Sequence, residues 1–331
     1  MQVIYIAYNI IMNNKQIYTE LCQSDPSIPL FLTDWWMDAV CAGKQWDVLL
    51  DLDADNKPRA AMPFLIRERL HMRYIVMPQM TQIGGIWLRS DIQDDTDTVR
   101  SVCEHFARQI DDLHLSYYYQ QYPIQSPVPD IMLSLGFKIK PKVTYRLEDL
   151  TDLDKVINAF SKNKKRQLQR ALSLHADRQM TVEEFYQFHT QCLKEQGKQI
   201  SYTREFLLVL ERKASRQQQC QIIRISNADN TPFAAAFVVW DANTLYYLIP
   251  CYSPTYKDSG AGALLALEAI KLAREKNATF DFEGSMIRGV ANHYKQFGTT
   301  PTTYYSIERY YNPLFHLAIW WNELRQLKCQ L

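Results

Sequence analysis

The chain has 331 residues, enough for two domains, and its apolar content of 47% with 12% aromatics excludes a disordered tract. Acid and base balance to a net charge of +1, which excludes a uniformly basic wrapper of nucleic acid while leaving room for a local basic patch. Seven cysteines at 22, 41, 103, 192, 220, 251 and 329 show no CxxC spacing, so neither a disulfide frame nor a zinc site is expected, and reduced thiols in a cytoplasmic protein are.

Met1 to Met12 is apolar but lacks a basic leader and a small-residue cleavage site, and it reads as a strand. No run reaches the ~18 apolar residues of a membrane span, so any membrane role is expected to be peripheral. Asp34 to Ala42 reads as a short helix carrying Trp35 and Trp36. Trp46 to Asp51 and Arg59 to Arg67 read as strands across the turn Asp53-Ala54-Asp55-Asn56-Lys57-Pro58. Gly84-Gly85 interrupts a further strand before Ile86-Trp87-Leu88. Helical spacing of Val99, Cys103, Phe106 and Ile110 predicts a helix over 94–113, and Leu115 to Tyr119 is strand-like. Ile131 to Leu135 forms a short helix that Gly136 ends.

The polar stretch Glu148-Asp149-Leu150-Thr151-Asp152 suggests a boundary, giving domains 1–150 and 151–331. The second half reads as helices over 153–175, 181–197 and 203–216, the second opened by the Thr181/Glu184 capping box. Strands follow at 219–226, 233–240 and 244–250. Gly260 and Gly262 then open a helix reaching Asn277, and a strand ends in Asp281-Phe282-Glu283-Gly284-Ser285. A short helical segment at 291–296, a strand at 303–310 and a helix from Pro313 to Leu327 complete the chain. This alternation predicts an α/β (α+β) fold with a mixed sheet in each half.

Several groups of residues suggest chemistry. Lys257-Asp258-Ser259-Gly260-Ala261-Gly262 leads from a strand into a helix, where unpaired amides and the helix dipole suit a phosphate-bearing ligand. The bland alternative is that the glycines only allow tight helix-to-strand packing. Asp281 and Glu283 share one face of their strand, and a carboxylate at a strand end is placed to accept a proton from an attacking ammonium. Lys162, Arg166 and Arg170 recur every fourth residue and form a cationic stripe suited to phosphates. Tyr252, Tyr256 and Tyr294 lie among these candidates.

The glycine loop resembles the pyrophosphate loop of the GCN5-related N-acetyltransferases (GNAT), with Gly260 and Gly262 matching and Lys257 standing where glutamine or arginine is usual. The acidic-glycine strand end followed by Tyr294-Lys295-Gln296-Phe297-Gly298 resembles the C-terminal signature of the Fem-type peptidoglycan-bridge aminoacyl transferases and the related CelD-like acetyltransferase domains. The resemblance is best over residues 155–312 and only architectural before that. It implies two tandem GNAT-like domains, each a mixed, mainly antiparallel sheet flanked by helices, the first having lost its donor site. It implies an N-acyltransferase using acyl-coenzyme A or aminoacyl-tRNA, without a metal, on an amine of a cell-envelope precursor or small molecule. Lys257, Ser259, Gly260, Ala261 and Gly262 would hold the donor. Glu283, Asp281, Tyr294 and Lys295 would act in catalysis, with Lys295 near the acyl-transfer site. Lys162, Arg166, Arg170, Tyr252 and Tyr256 would bind substrate, including tRNA if that is the donor. The other class of reading is a non-catalytic protein of this fold that binds a cell-wall sugar or a partner in its cleft.

Overall fold

The structure, a computed structural model, describes residues 14–41, 46–284, 288–313 and 315. The strand expected over Met1–Met12, most of the helix expected over Pro313–Leu327, and Ser285 and Met286 lie outside the described residues. Contacts divide the chain into two compact units, Met1–Lys142 with Tyr304–Leu331, and Val143–Thr303.

The first unit opens with helix α1 (14–24) and α2 (Asp34–Val40), whose N-cap Thr33 accepts from the Trp36 amide. Strands β1 (Trp46–Leu52) and β2 (Pro58–Arg69) pair antiparallel around the predicted turn. Strand β3 (Met72–Ile75) continues the ladder, and β4 (Trp87–Leu88) pairs on β2. Helix α3 (Thr96–Asp112) starts at Asp95, whose carboxylate accepts from the Asp97 and Thr98 amides. Its Val99, Val102, Phe106 and Ile110 meet Phe64, Tyr118 and Tyr122 in one core. Strand β5 (Tyr117–Tyr122) and helix α4 (Val128–Ser134) follow, and then β6 (Lys138–Leu147), whose last residues belong to the second unit.

The second unit continues with α5 (Leu153–Ala159) and α6 (Lys162–Arg170). The sequence predicts one helix over 153–175. The structure breaks it at Phe160 and Ser161. Phe160 is extended and buried, with its ring 5.2 Å from Phe297. The Ser161 hydroxyl accepts from the Lys164 amide as an N-cap. The remainder is a turn over 171–173 that leads into the short strand β7 (His175–Asp177). Helices α7 (Val182–Glu195), with the predicted capping box formed, and α8 (Arg204–Arg216) precede strands β8 (Cys220–Ser226), β9 (Pro232–Trp240) and β10 (Thr244–Tyr252). Helix α9 (Ala261–Glu275) crosses over to β11 (Thr279–Asp281), parallel to β10. Helix α10 (Arg288–Lys295) and strand β12 (Thr300–Tyr310) end the described chain; from Tyr304 onward β12 belongs to the first unit, where it pairs antiparallel with β5.

Within the second unit the strand order is β6-β11-β10-β9-β8-β7, antiparallel except at β10/β11. Period-two alternation along β9 sends Ala234, Ala236 and Val238 into the core shared with Leu265, Ala269, Ile270 and Ala273 of α9. Phe237, between them, has its ring 6.4 Å from Phe185 of α7. The small residues on β9 let α9 lie close to the sheet, which fixes where the helix begins. Among the described residues Cys22, Cys41, Cys103, Cys192, Cys220 and Cys251 are free thiols. No described helix is long and apolar enough to cross a membrane.

Candidate functional site

Two features of β10 open the site. Its register against β9 slips between Tyr246 and Ile249. Its parallel ladder with β11 ends at Tyr246↔Asp281, while β10 runs on beside β9 to Tyr252. The edge of β10 beyond Tyr246 that faces away from β9 is therefore no longer held by β11. A bulge at such a point re-aims backbone groups out of the ladder.

After β10 a 3-10 turn (Pro254–Tyr256) leads into α9. Gly260, the N-cap, has φ 84°. A Cβ there would meet the Gln167 carbonyl oxygen at 2.0 Å, so both conformation and space demand glycine. Gly260 thus locks the start of α9 onto α6, a helix-to-helix contact and not the helix-to-strand packing considered from sequence. It does not close the loop. Residues Gly260 to Ala263 line a cavity of about 290 Å³ with Lys164, Gln167, Tyr252, Tyr256, Lys257 and His293. The Ala261 amide donates to the Ser259 hydroxyl and those of Ala263 and Leu264 to the Gly260 carbonyl. The amides of Gly260 and Gly262 make no such bond among the described residues. Tyr256 stacks on Phe233 with centroids 3.7 Å apart, forming one wall, and Lys257 stands exposed at the mouth.

Lys164 was not expected in the site. It is 2% exposed. Its ammonium donates to Gln167 Oε1 at 3.2 Å, lies 3.3 Å from His293 Nδ1, and sits 4.5 Å above the Phe297 ring. No carboxylate pairs with it among the described residues, and burial alone brings its pKa down to about 8. Burial and then the Lys164 charge bring His293 down to about 4. His293 thus faces the cavity as a neutral acceptor.

The cationic stripe does not join it. Lys162, Arg166 and Arg170 are exposed on the opposite side of α6, because residues two apart on a helix point about 200° from each other. The sequence signal for Lys164 lay in that same geometry: with Ser161 as N-cap, the lysine at the third helical position turns inward with Gln167.

The carboxylate pair lies at the end of β11. Asp281 is buried; its Oδ1 accepts a very short hydrogen bond from the Thr144 hydroxyl and another from the Glu283 amide at 2.8 Å, and Arg146 Nε stands 3.7 Å from Oδ2. Burial raises the Asp281 carboxyl to about 6 against those partners. Glu283 has φ 59°, a left-handed backbone rare for a residue with a Cβ. Its Oε1 is sealed from solvent without a hydrogen-bond partner. Burial, then the charge of Asp281, holds its pKa well above the ordinary carboxylate range.

Tyr294 connects the two regions. Its ring stacks on Phe282 with centroids 4.7 Å apart, and burial, then the charges of Glu283 and Asp281, push its hydroxyl up to about 12. Tyr252, on the cavity wall, shares a 3.2 Å hydroxyl contact with Tyr247. Lys295, the next residue of α10, is exposed and is no part of the cavity wall. Among the described residues no group of three or more His, Cys, Asp or Glu is placed to hold a metal.

Residues 144–296 match the family model described as an acetyltransferase (GNAT) domain. No curated protein matches the chain. Among solved structures, FemX is similar at 12% identity over 92% of this chain and 98% of its own, with a TM-score of 0.68. A tandem GNAT protein from the clavulanic acid biosynthesis pathway is similar at 10% identity over 84% of this chain and 94% of its own, TM-score 0.52. The C-terminal domain of a putative lysylphosphatidylglycerol synthetase from Agrobacterium fabrum is similar at 11% identity over 90% and 91%, TM-score 0.54. The loop, the interrupted β10/β11 ladder and these likenesses agree: residues 144–296 match the GNAT acetyltransferase domain model, in a chain with the tandem-GNAT fold.

Proposed function

We propose that the protein is an N-acyltransferase that takes an acyl group from a coenzyme A thioester and passes it to an amine of a small molecule or cell-envelope precursor. The observation that carries this reading is the pair of amides at Gly260 and Gly262, without a hydrogen-bond partner among the described residues, in a loop that lines a cavity of about 290 Å³ at the start of α9. In this scheme the donor's diphosphate lies against those amides and Lys257. The pantetheine arm follows the edge of β10 released beyond Tyr246, and the thioester carbonyl is polarised by backbone N–H groups near the bulge. The acceptor nitrogen attacks the carbonyl carbon and the C–S bond breaks. Glu283, directly or through water, takes the ammonium proton, and Tyr294 donates to the departing thiolate. Burial and then the charge of Asp281 raise the Glu283 carboxyl, which makes its carboxylate a stronger proton acceptor. Asp281 holds the Glu283 amide and acts as a positioning residue. Lys295 has no part in this scheme.

A second reading keeps the same chemistry with aminoacyl-tRNA as donor. It is favoured by the exposed stripe of Lys162, Arg166 and Arg170 and by the resemblance to the Fem-type transferases.

The test presents acetyl-coenzyme A and aminoacyl-tRNA to the purified protein across a salt series. Release of thiol that requires an added amine, with binding weakly dependent on salt, is expected. Binding of charged tRNA alone, with a steep salt slope, would transfer the assignment to the second reading, and no acyl release from either donor would end it.

A further inference from the structure

An ammonium in a buried place without an acid beside it costs several kcal/mol of desolvation that only an anion can offset fully. Lys164 is such an ammonium. Its polar neighbours are the neutral Gln167 amide and a histidine whose ring accepts rather than repels. Around the cavity the other ionisable groups are His293 on α10, Tyr252 on β10, and Tyr256 and Lys257 on the turn before α9. Tyr252 and His293 are neutral near pH 7, Tyr252 being raised far above that by burial and His293 lowered to about 4. Lys257 is cationic, and Asp258, the next residue, is exposed and not part of the wall. Among the described residues no negative charge on the cavity wall therefore opposes an anion entering here, while Lys164, Lys257 and the N-terminus of a 15-residue helix all attract one.

We propose that Lys164 is the counter-charge for the donor's phosphates: its ammonium, held between Gln167 and His293, binds a diphosphate-bearing ligand together with the amides that open α9. This rests on the donor reading given above and adds to it a specificity residue on a different helix from the loop. It also makes binding proton-linked. Part of the Lys164 population is neutral at pH 8 in the free protein, and the ligand's charge favours the protonated form. Binding at that pH takes up protons, and affinity falls about tenfold between pH 7 and pH 9 as the free amine loses its charge.

Calorimetry with inorganic pyrophosphate, coenzyme A and pantetheine, on the intact chain and on Lys164→Met and Lys164→Gln, tests this. At pH 8 each titration is run in two buffers of different ionisation enthalpy. The expected result is a loss of about tenfold to a hundredfold in affinity for pyrophosphate and coenzyme A in both variants, with pantetheine unchanged. Proton uptake is expected in the unaltered protein and its absence in the variants. Unchanged coenzyme A affinity in a folded variant, or binding without proton uptake, overturns the proposal. If pyrophosphate binds through Lys164 and coenzyme A does not, the anion site stands and the donor reading falls. If neither ligand binds the unaltered protein, the proposal is wrong. Should both variants fail to fold, the buffer comparison on the unaltered protein still decides.

Discussion

The Glu283 amide donates to the Asp281 carboxylate at 2.8 Å while the Glu283 backbone stands at φ 59°, so the bond from the first acid holds the second in a conformation its own side chain disfavours. Residues with a Cβ leave this region unless something fixes them, and strain of this kind costs about 1–3 kcal/mol. Replacing Glu283 by glycine is expected to raise stability by about 1 kcal/mol in urea unfolding, since glycine adopts φ > 0 freely, and to abolish amine-dependent acyl transfer. Loss of stability in Glu283→Gly would show that the side chain, not the backbone, holds the turn.

Glu283→Gln keeps shape and removes the base. The expected loss is about 10²-fold or more in kcat/KM, the scale of general-base catalysis, with coenzyme A affinity within twofold. Steady-state rates with acetyl-coenzyme A and a reactive amine, beside direct binding, check it; an unchanged rate would remove Glu283 from the mechanism.

Asp281 gives a pH signature. Its carboxyl titrates near 3.8 when unfolded and at about 6 when folded. Between these values the unfolded chain carries fewer protons, so stability contributed at this site falls as pH rises from about 4 to 6. Asp281→Asn should flatten that part of the pH–stability curve while weakening the Glu283 turn. A curve identical to that of the unaltered protein would mean Asp281 titrates normally.

Lys164→Met should separate stability from binding. The lysine titrates at about 8 when folded and 10.5 when unfolded. Between these values the unfolded chain holds the extra proton, so stability rises with pH across that window and the neutral variant lacks the rise. At pH 7 the variant is expected to be more stable by about 1–2 kcal/mol, as when a buried charge is replaced by an apolar side chain of like volume. A denaturant series from pH 7 to 10 measures both, and a less stable variant would show that the amine's three contacts outweigh its desolvation.

Gly260→Ala should cost stability through two independent faults, the left-handed φ of 84° and a Cβ placed 2.0 Å from the Gln167 carbonyl. A loss of about 2–4 kcal/mol is expected, with weakened binding of coenzyme A because α6 and the loop must part. Unchanged unfolding and binding would mean that the loop sits elsewhere than against α6.

The elements that carry local signals were legible in the sequence. The capping box at Thr181 and Glu184, the turn between β1 and β2, and the glycine opening of α9 each have nearest-neighbour chemistry that fixes their geometry. The break at Phe160 and Ser161 was not legible as a break, because its cause is Phe297, far along the chain. The cationic repeat was visible, but the periodicity that displayed Lys162, Arg166 and Arg170 also hid Lys164, whose importance depends on His293 and the Gly260 loop meeting it in space. Likewise the strain at Glu283 belongs to a backbone angle that no residue pattern announces.

Gln167 touches both halves of the proposed anion pocket: its carbonyl abuts Gly260 and its side-chain oxygen accepts from the Lys164 ammonium. A single residue thus gauges the gap between a fixed charge and a row of peptide dipoles. The receptor is set at folding, so an arriving ligand has little left to organise, and selectivity among anions becomes a matter of size matched to a rigid spacing.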